Sequence, residues 1–388
     1  MGREALITDA SSDLASPHWR LFAFIDGQNV CRSEAGGRSS MRKTVPRDDP
    51  ETAMAAVIEL TDKGLYCAAG DFHIDPWRPV ERALITHAHA DHARSGHGHY
   101  WATTQSAPIL YKRLGSAIAL TGVAYGQELT FGTARVSFHP AGHVLGSAQI
   151  RVEVDGEVWV ASGDYKRDAD PTCADFEVVP CDTFITEATF ALPVYRWADT
   201  ADVAADIHAW WQANAAAGKT SVLFSYSLGK AQRLLAELAR LTDETVYLHG
   251  ALVPLTQIYR DAGIAMLPTE PVSAQDRKAD FAGALVMAPP SAAGSRWMRR
   301  FKQHETGFAS GWMRIRGNRR RRGYDRGFVL SDHVDWPGLI RTIEQTGARR
   351  VLATHGRTDV LVAYLRERGL DAAPLVTEYA DSLETDEG

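Results

Sequence analysis

Cysteine is scarce. The 388 residues hold four, Cys31, Cys67, Cys173 and Cys181, and their separations match no metal-binding or redox spacing. A disulfide framework and a thiolate zinc centre are set aside, and the simplest reading is a reduced, cytoplasmic protein. Long apolar runs are missing too. None approaches the roughly 18 continuous apolar residues of a membrane span, so no membrane association is expected. The first residues lack the apolar segment of a secretion signal. Leu6 stands where an N-myristoylation signal would need Ser or Thr. There is no excess of positive charge: the net charge is -6, so the total gives no hint of a nucleic-acid binder. Apart from one arginine cluster there is no internal repeat or low-complexity block. At this length the chain can form one large domain or two.

What is present is a dense run of ligand-type residues. In Thr86-His87-Ala88-His89-Ala90-Asp91-His92, three histidines and an aspartate follow the apolar run Ala83-Leu84-Ile85. In an extended segment His87 and His89 point the same way, because side chains alternate. A helix starting near Asp91 would present Asp91 and His92 to a neighbouring point. One strand end can then serve two metal ions, and imidazole and carboxylate donors suit zinc.

The flanking pattern is α/β. Ser11 to Asp49 is polar and arginine-rich, and we expect residues 1–56 to form a poorly ordered extension; Met41 and Met54 are alternative starts. Strands are expected at 64–69, 82–86, 128–131, 134–139, 148–154, 157–162 and 183–186, with Asp155-Gly156 as a hairpin turn. Helices are expected at 107–114, 229–241, 253–262, 336–345 and 360–368. Strands are expected before the last four, at 222–226, 245–248, 327–330 and 350–353. Three further candidate ligands stand after strands: His143 in Ala141-Gly142-His143, Asp164 in Ser162-Gly163-Asp164 and His355 in Thr354-His355-Gly356. Groups at strand ends converge on one sheet edge, where α/β proteins place their sites. A carboxylate at Asp164 could bridge two metals.

These segments, in this order, resemble the metallo-β-lactamase superfamily. His87, His89, Asp91 and His92 match its second motif, His143 its third and Asp164 its fourth. Asp71, in Ala69-Gly70-Asp71-Phe72, resembles the first-motif aspartate that buttresses the ligand loop. Thr186-Glu187-Ala188-Thr189-Phe190, Ser331-Asp332-His333-Val334-Asp335 and His355-Gly356 resemble motifs A, B and C of the β-CASP branch, whose members are nucleases. Within that branch the segment from Tyr66 to Pro79 is similar to the opening of the bacterial ligase-associated DNA exonucleases. The segments from Ser162 to Arg167 and from Phe308 to Met313 are similar to that family too.

The resemblance implies an αββα sandwich formed by residues 57–190 and 327–380. It also implies an inserted β-CASP α/β domain at 191–326, leaving a tail at 381–388. It implies two divalent ions, zinc or alternatively manganese. One would be held by His87, His89 and His143, the other by Asp91, His92 and His355, with Asp164 between them. Glu187 and His333 would form an acid–base pair. The implied activity is phosphodiester hydrolysis, as a DNA 3′ exonuclease in repair working with an ATP-dependent ligase and a helicase. A ribonuclease that processes RNA is the alternative, which His355 favours. A thioester or lactam hydrolase is more remote.

Substrate contacts are expected from the basic stretch between Arg296 and Arg326, including Arg316, Arg319, Arg320, Arg321 and Arg322. Lys230, in Ser225-Tyr226-Ser227-Leu228-Gly229-Lys230, stands at an expected helix start where a phosphate could be held.

Overall fold

The computed structural model describes residues 56–315 and 323–378. The expected tail, nearly all of the expected extension, and Arg316, Arg319, Arg320, Arg321 and Arg322 lie outside the described residues. The rest is α/β with three sheets.

The first sheet follows chain order: β1 (Glu59–Thr61), β2 (Gly64–Cys67), β3 (Phe72–Ile74), β4 (Arg82–Leu84), β5 (His99–Thr103) and β6 (Leu120–Val123). It begins antiparallel and becomes parallel from β3 onward. Helix α1 (Ala107–Leu114) joins β5 to β6 and has the expected bounds. The second sheet opens with the antiparallel run β7 (Glu128–Phe131), β8 (Ala134–Pro140), β9 (Ala148–Val154) and β10 (Glu157–Ala161). Asp155 and Gly156 close the β9–β10 hairpin with φ of 50° and 84°, the backbone that Asp-Gly turns adopt. Strand β11 (Thr183–Glu187) adds in parallel.

A third, wholly parallel sheet is built from the next stretch of chain. Its order is β14 (Thr269–Pro271), β13 (Val246–Leu248), β15 (Leu285–Ala288), β12 (Thr220–Phe224), β16 (His304–Ala309) and β17 (Arg326–Phe328). Helices α2 (Thr200–Ala216), α3 (Lys230–Leu238) and α4 (Val253–Asp261) accompany it. The chain then returns to the second sheet through α5 (Trp336–Thr346), β18 (Arg350–Thr354), α6 (Thr358–Glu367) and β19 (Asp371–Pro374).

Period-two alternation decides which face each side chain joins. In the second sheet Trp159, Ala161, Ile185 and Leu352 join Phe72, Ile74 and Leu84 of the first sheet in one core. Val160, Phe184, Val351 and Ala353 turn the other way, onto α5 and α6. The far face of the first sheet, with Ala83, Ile85, Tyr100 and Ala102, packs in a core shared with α2, α3 and the third sheet.

Nine elements were not expected from the sequence, the short strands β1, β3, β6, β14 and β19 among them. Helix α2 is the longest; its buried stripe Val203, Ile207, Trp210, Trp211 and Asn214 has helical spacing, and the Asp199 side chain caps it by accepting from Ala201 N at 2.8 Å. Strands β5, β15 and β16 were also missed. No helix begins at Asp91: the chain makes a single turn, closed by Ala93 N donating to the His89 carbonyl at 2.9 Å.

Candidate metal centre

Strand ends deliver the site. His87 follows β4 by three residues, Asp164 follows β10, Glu187 ends β11 and His355 follows β18. His143 lies in the β8–β9 connection and His333 in the β17–α5 connection. The connections are tight. A Cβ on Gly142 (φ 72°) would come within 2.4 Å of the Lys166 carbonyl oxygen, and one on Gly163 (φ 55°) within 2.6 Å of Thr86 Oγ1. Both positions therefore require glycine. His355 itself holds a left-handed φ of 59°, a strained conformation of the kind that recurs at functional sites.

The sequence-derived ligands meet. His87, His89, His143 and Asp164 form one cluster of donor atoms, Asp91, His92 and His355 a second, and Asp164, Glu187 and His333 a third, each within 4.8 Å. His89 Nδ1 lies 3.1 Å from His87 Nε2 and 3.0 Å from His143 Nε2. Asp164 Oδ2 stands centrally, 3.5 Å from both His87 Nε2 and His92 Nε2 and 3.9 Å from His143 Nε2. His92 stacks on His355 with ring centroids 5.1 Å apart. Glu187 Oε2 lies 3.0 Å from His333 Nδ1, while its Oε1 accepts from Tyr165 N at 2.8 Å.

One expected position is corrected. Asp71 is not at the centre: its side chain is 72% exposed, accepts from Tyr66 Oη and stands near Arg82. The buttress is Asp75, which the sequence reading passed over. Its carboxylate accepts from Thr86 N at 2.8 Å and Thr86 Oγ1 at 2.6 Å, and lies 2.8 Å from His92 Nδ1. It therefore fixes both the entry to the His87 loop and one of the loop's rings. The signal that could have found it is Asp75-Pro76, a turn that leaves β3 beside β4.

Burial drives the electrostatics. It holds His87 well below the ordinary imidazole range, lowers His355, and takes His143 down to about 3. These rings are neutral, the form that binds metals. Burial would also lower His92, but Asp91 and Asp164 outweigh it and draw a proton onto that ring. Asp164 is raised by burial and pulled well below its usual range by His92 and His333. Among the described residues no lysine or arginine pairs with Asp91 or Asp164. Asp164 Oδ1 is buried with no hydrogen-bond partner. A set of imidazole and carboxylate donors around a buried carboxylate, with no lysine or arginine paired to it among the described residues, fits divalent metal ions.

Lys230 is also corrected. It does not face solvent as a phosphate ligand would. It is buried, its Nζ lies 3.2 Å from Asp332 Oδ2, and it sits over the Tyr226 ring. Arg233 reaches the same aspartate at 3.5 Å and Asp170 at 3.3 Å. Asp332 in turn offers its backbone carbonyl to His143 Nδ1 at 2.9 Å. His97 is buried and packs against Tyr100.

No family model matches the chain. The chain is 35% identical over 319 residues to a protein of Opitutus terrae named "Probable DNA ligase", covering 80% of this chain and 30% of that one. It is 22% identical over 229 residues to an RNase J-like protein of Methanocaldococcus jannaschii (52% and 54% covered) and 25% identical over 222 residues to ribonuclease TTHA0252 of Thermus thermophilus (50% and 49%). The chain thus spans under a third of the first relative's length and about half of the other two. A solved protein of unknown function from Enterococcus faecalis shares the fold with a TM-score of 0.51, at 12% identity over 79% of this chain and 80% of that one. Fold and site define an α/β protein built around a His/Asp metal centre. Within that class, the chain is a homologue of the β-CASP nucleases of the metallo-β-lactamase superfamily.

Proposed function

We propose that the chain is a two-metal nuclease that hydrolyses phosphodiester bonds, acting as a DNA 3′ exonuclease. In this reading residues 57–190 and 327–380 form a metallo-β-lactamase αββα sandwich, and residues 191–326 are the inserted β-CASP domain. The observation that carries the reading is the Glu187–His333 pair at the edge of the metal cluster, 3.9 Å from Asp164. A metal site alone serves many reactions; a carboxylate-oriented imidazole beside it adds the proton donor that ester cleavage needs.

His87, His89, His143 and Asp164 would hold one ion, and Asp91, His92, His355 and Asp164 the other. Zinc suits these donors, with manganese as the alternative. When bound, the ions polarise a phosphoryl oxygen and lower the pKa of water. The chain's own groups do the rest. Glu187, fixed by Tyr165 N, accepts from Nδ1 of His333 and sets that ring's direction. His333 Nε2 then delivers its proton to the leaving oxygen as the P–O bond breaks. Asp75 keeps His92 aimed. A cavity of about 210 Å³ opens beside His89, lined by Lys112, Arg113, Tyr226 and Ser227. It offers positive charge for a phosphate.

DNA repair alongside an ATP-dependent ligase and a helicase is supported by the motif resemblance and by the match within a ligase-named protein. Ribonuclease activity is the second reading, favoured by the two ribonuclease-named relatives. The test uses end-labelled single-stranded and duplex DNA beside matched RNA, with zinc or manganese, and a His89→Ala/Asp91→Ala control. Stepwise loss from DNA 3′ ends, absent in the control, is expected. Preferential RNA cutting would move the chain to RNA processing. Metal-loaded protein that cuts neither polymer would end the nuclease reading and reopen thioester or lactam hydrolysis.

A further inference from the structure

The parallel third sheet has two edges, and they differ in chemistry. At the C-terminal edge β12 runs into Ser225–Leu228, whose Leu228 carbonyl approaches His89 Nε2 at 3.4 Å. At the N-terminal edge, where β12 begins at Thr220, there is a separate cavity of about 630 Å³. Its walls are the segments 277–282 and 299–303. They bring together Arg277, Lys278, Arg299, Arg300 and Lys302 against Asp280 alone.

These cations divide into two kinds. Arg300 is structural: its Nη2 donates to the carbonyls of Gln275 and Asp276 at 2.9 and 2.7 Å, and its guanidinium lies over the Phe281 ring. It ties one wall to the other. Arg277, Lys278, Arg299 and Lys302 are exposed and make no ion pair among the described residues. Holding four uncompensated cations together costs repulsion, and in a chain of net charge -6 they are not a by-product of general basicity. The aromatic rings of the cavity, Phe281 and Phe301, are buried and packed on each other. No ring is left open for a base to stack on. The surface therefore suits a polyanion's charged backbone, read without regard to sequence.

We infer that this cavity is an exosite that grips the sugar-phosphate backbone of a nucleic-acid strand away from the bond being cut. The inference rests on the nuclease reading of the metal centre and adds a second, spatially distinct hold on the same polymer. Five residues of β12 separate the two edges, roughly 15 Å at about 3.3 Å per residue. A strand at about 3.4 Å per nucleotide needs on the order of five nucleotides merely to span that gap. Short strands can fill the catalytic side only; longer ones fill both.

The experiment uses the full chain in chelator, so that nothing is cut. Binding of short and long fluorescent single strands is followed by anisotropy over a salt series. The variant is Arg277→Gln/Lys278→Gln/Arg299→Gln/Lys302→Gln, with the exposed pair Arg277→Gln/Lys278→Gln as a milder second, and thermal melts to confirm that both fold. Wild type should bind long strands tighter than short ones. The fourfold variant should lose that advantage, and its slope of log K against log salt should fall by about 3, at about 0.7 per lost phosphate contact. Unchanged affinity and slope on long strands would overturn the exosite, as would a wild type that binds no strand. So would a variant that loses binding of poly-glutamate but keeps nucleic-acid affinity, which would assign the cavity to an acidic protein segment. Cleavage by the metal-loaded protein is scored separately. Salt-dependent gripping of long strands by a protein that never cuts them would sink the nuclease reading and leave the cavity as a nucleic-acid backbone site without a cleavage role.

Discussion

Two buried charged clusters lie back to back in this molecule, and they solve the same problem differently. In the metal centre, Asp91 and Asp164 have only histidines as ion-pair partners among the described residues. Behind it, Asp332 and Asp170 are met by Lys230 and Arg233, with all four side chains at most 4% exposed. Burial would raise the Asp332 carboxyl, but Lys230 and Arg233 hold it well below the usual range. A buried carboxylate needs a counter-charge. Where the chain supplies its own, the result is a joint: it ties α3 to the β17–α5 connection and presents the Asp332 carbonyl to His143. Where the chain supplies imidazoles instead, it leaves the counter-charge to mobile divalent ions, and chemistry becomes possible there.

The largest expected effect separates the clusters by their dependence on metal. Asp164→Ala should lower phosphodiester cleavage by on the order of 10⁴-fold, since in the proposed mechanism it removes the carboxylate that would serve both ion positions and forfeits several kcal/mol of charge stabilisation. It should also abolish the rise in melting temperature on adding zinc. The joint should respond oppositely. Lys230→Met leaves Asp332 buried with one partner fewer, which should cost about 3–5 kcal/mol of stability whether or not metal is present. Urea unfolding in chelator reads both. If Asp164→Ala proved the more destabilising of the two in metal-free protein, the contrast between the clusters would collapse.

Several of the candidate ligands were legible in the sequence because they follow short apolar strands. Ala83-Leu84-Ile85 and Val158 to Ala161 announce His87 and Asp164 before any fold is known. The joint was not legible. Lys230 reads locally as a cation at a helix start after Gly229, and its partner Asp332 is far along the chain. Only the packing of α3 against the β17–α5 connection turns a surface reading into a buried pair. Helix α2 was hidden for a different reason. Its alanines fill both faces and blur the boundary between apolar and polar, although Ile207, Trp210 and Trp211 carry the stripe. The misplaced buttress has a third cause. Asp71 and Asp75 both hold left-handed backbone, φ 50° and 44°, and flank β3. That strand is three residues long, too short for periodicity to say which aspartate turns inward.

That last pair gives the next test. Asp75→Asn should weaken metal binding by about 10–100-fold, the usual cost of losing a group that orients a ligand. Asp71→Asn, on an exposed side chain, should leave it unchanged. Metal affinity by competition with a chromophoric chelator distinguishes them. An equal loss in both variants would return Asp71 to the site.

The smallest expected effect concerns a buried histidine that belongs to neither cluster. His97 accepts from Val80 N at 3.3 Å, and burial lowers its pKa to about 4. The unfolded chain takes up a proton on this ring near pH 6.5, whereas the folded chain refuses it until about pH 4. Its contribution is therefore whole above pH 6.5 and is lost progressively as the pH falls toward 4. His97→Gln, which keeps an acceptor for Val80, should remove that slope. The stability difference between wild type and variant should shift by about 1–2 kcal/mol between neutral pH and pH 4.5, after allowance for partial solvent screening. Taking the difference cancels the metal-centre histidines, which titrate in both proteins. A difference that stays flat with pH would mean that the ring is already solvated, and that burial alone does not keep histidines neutral in this fold. The neutrality of His87 and His143 would then have to come from the metals rather than from the chain.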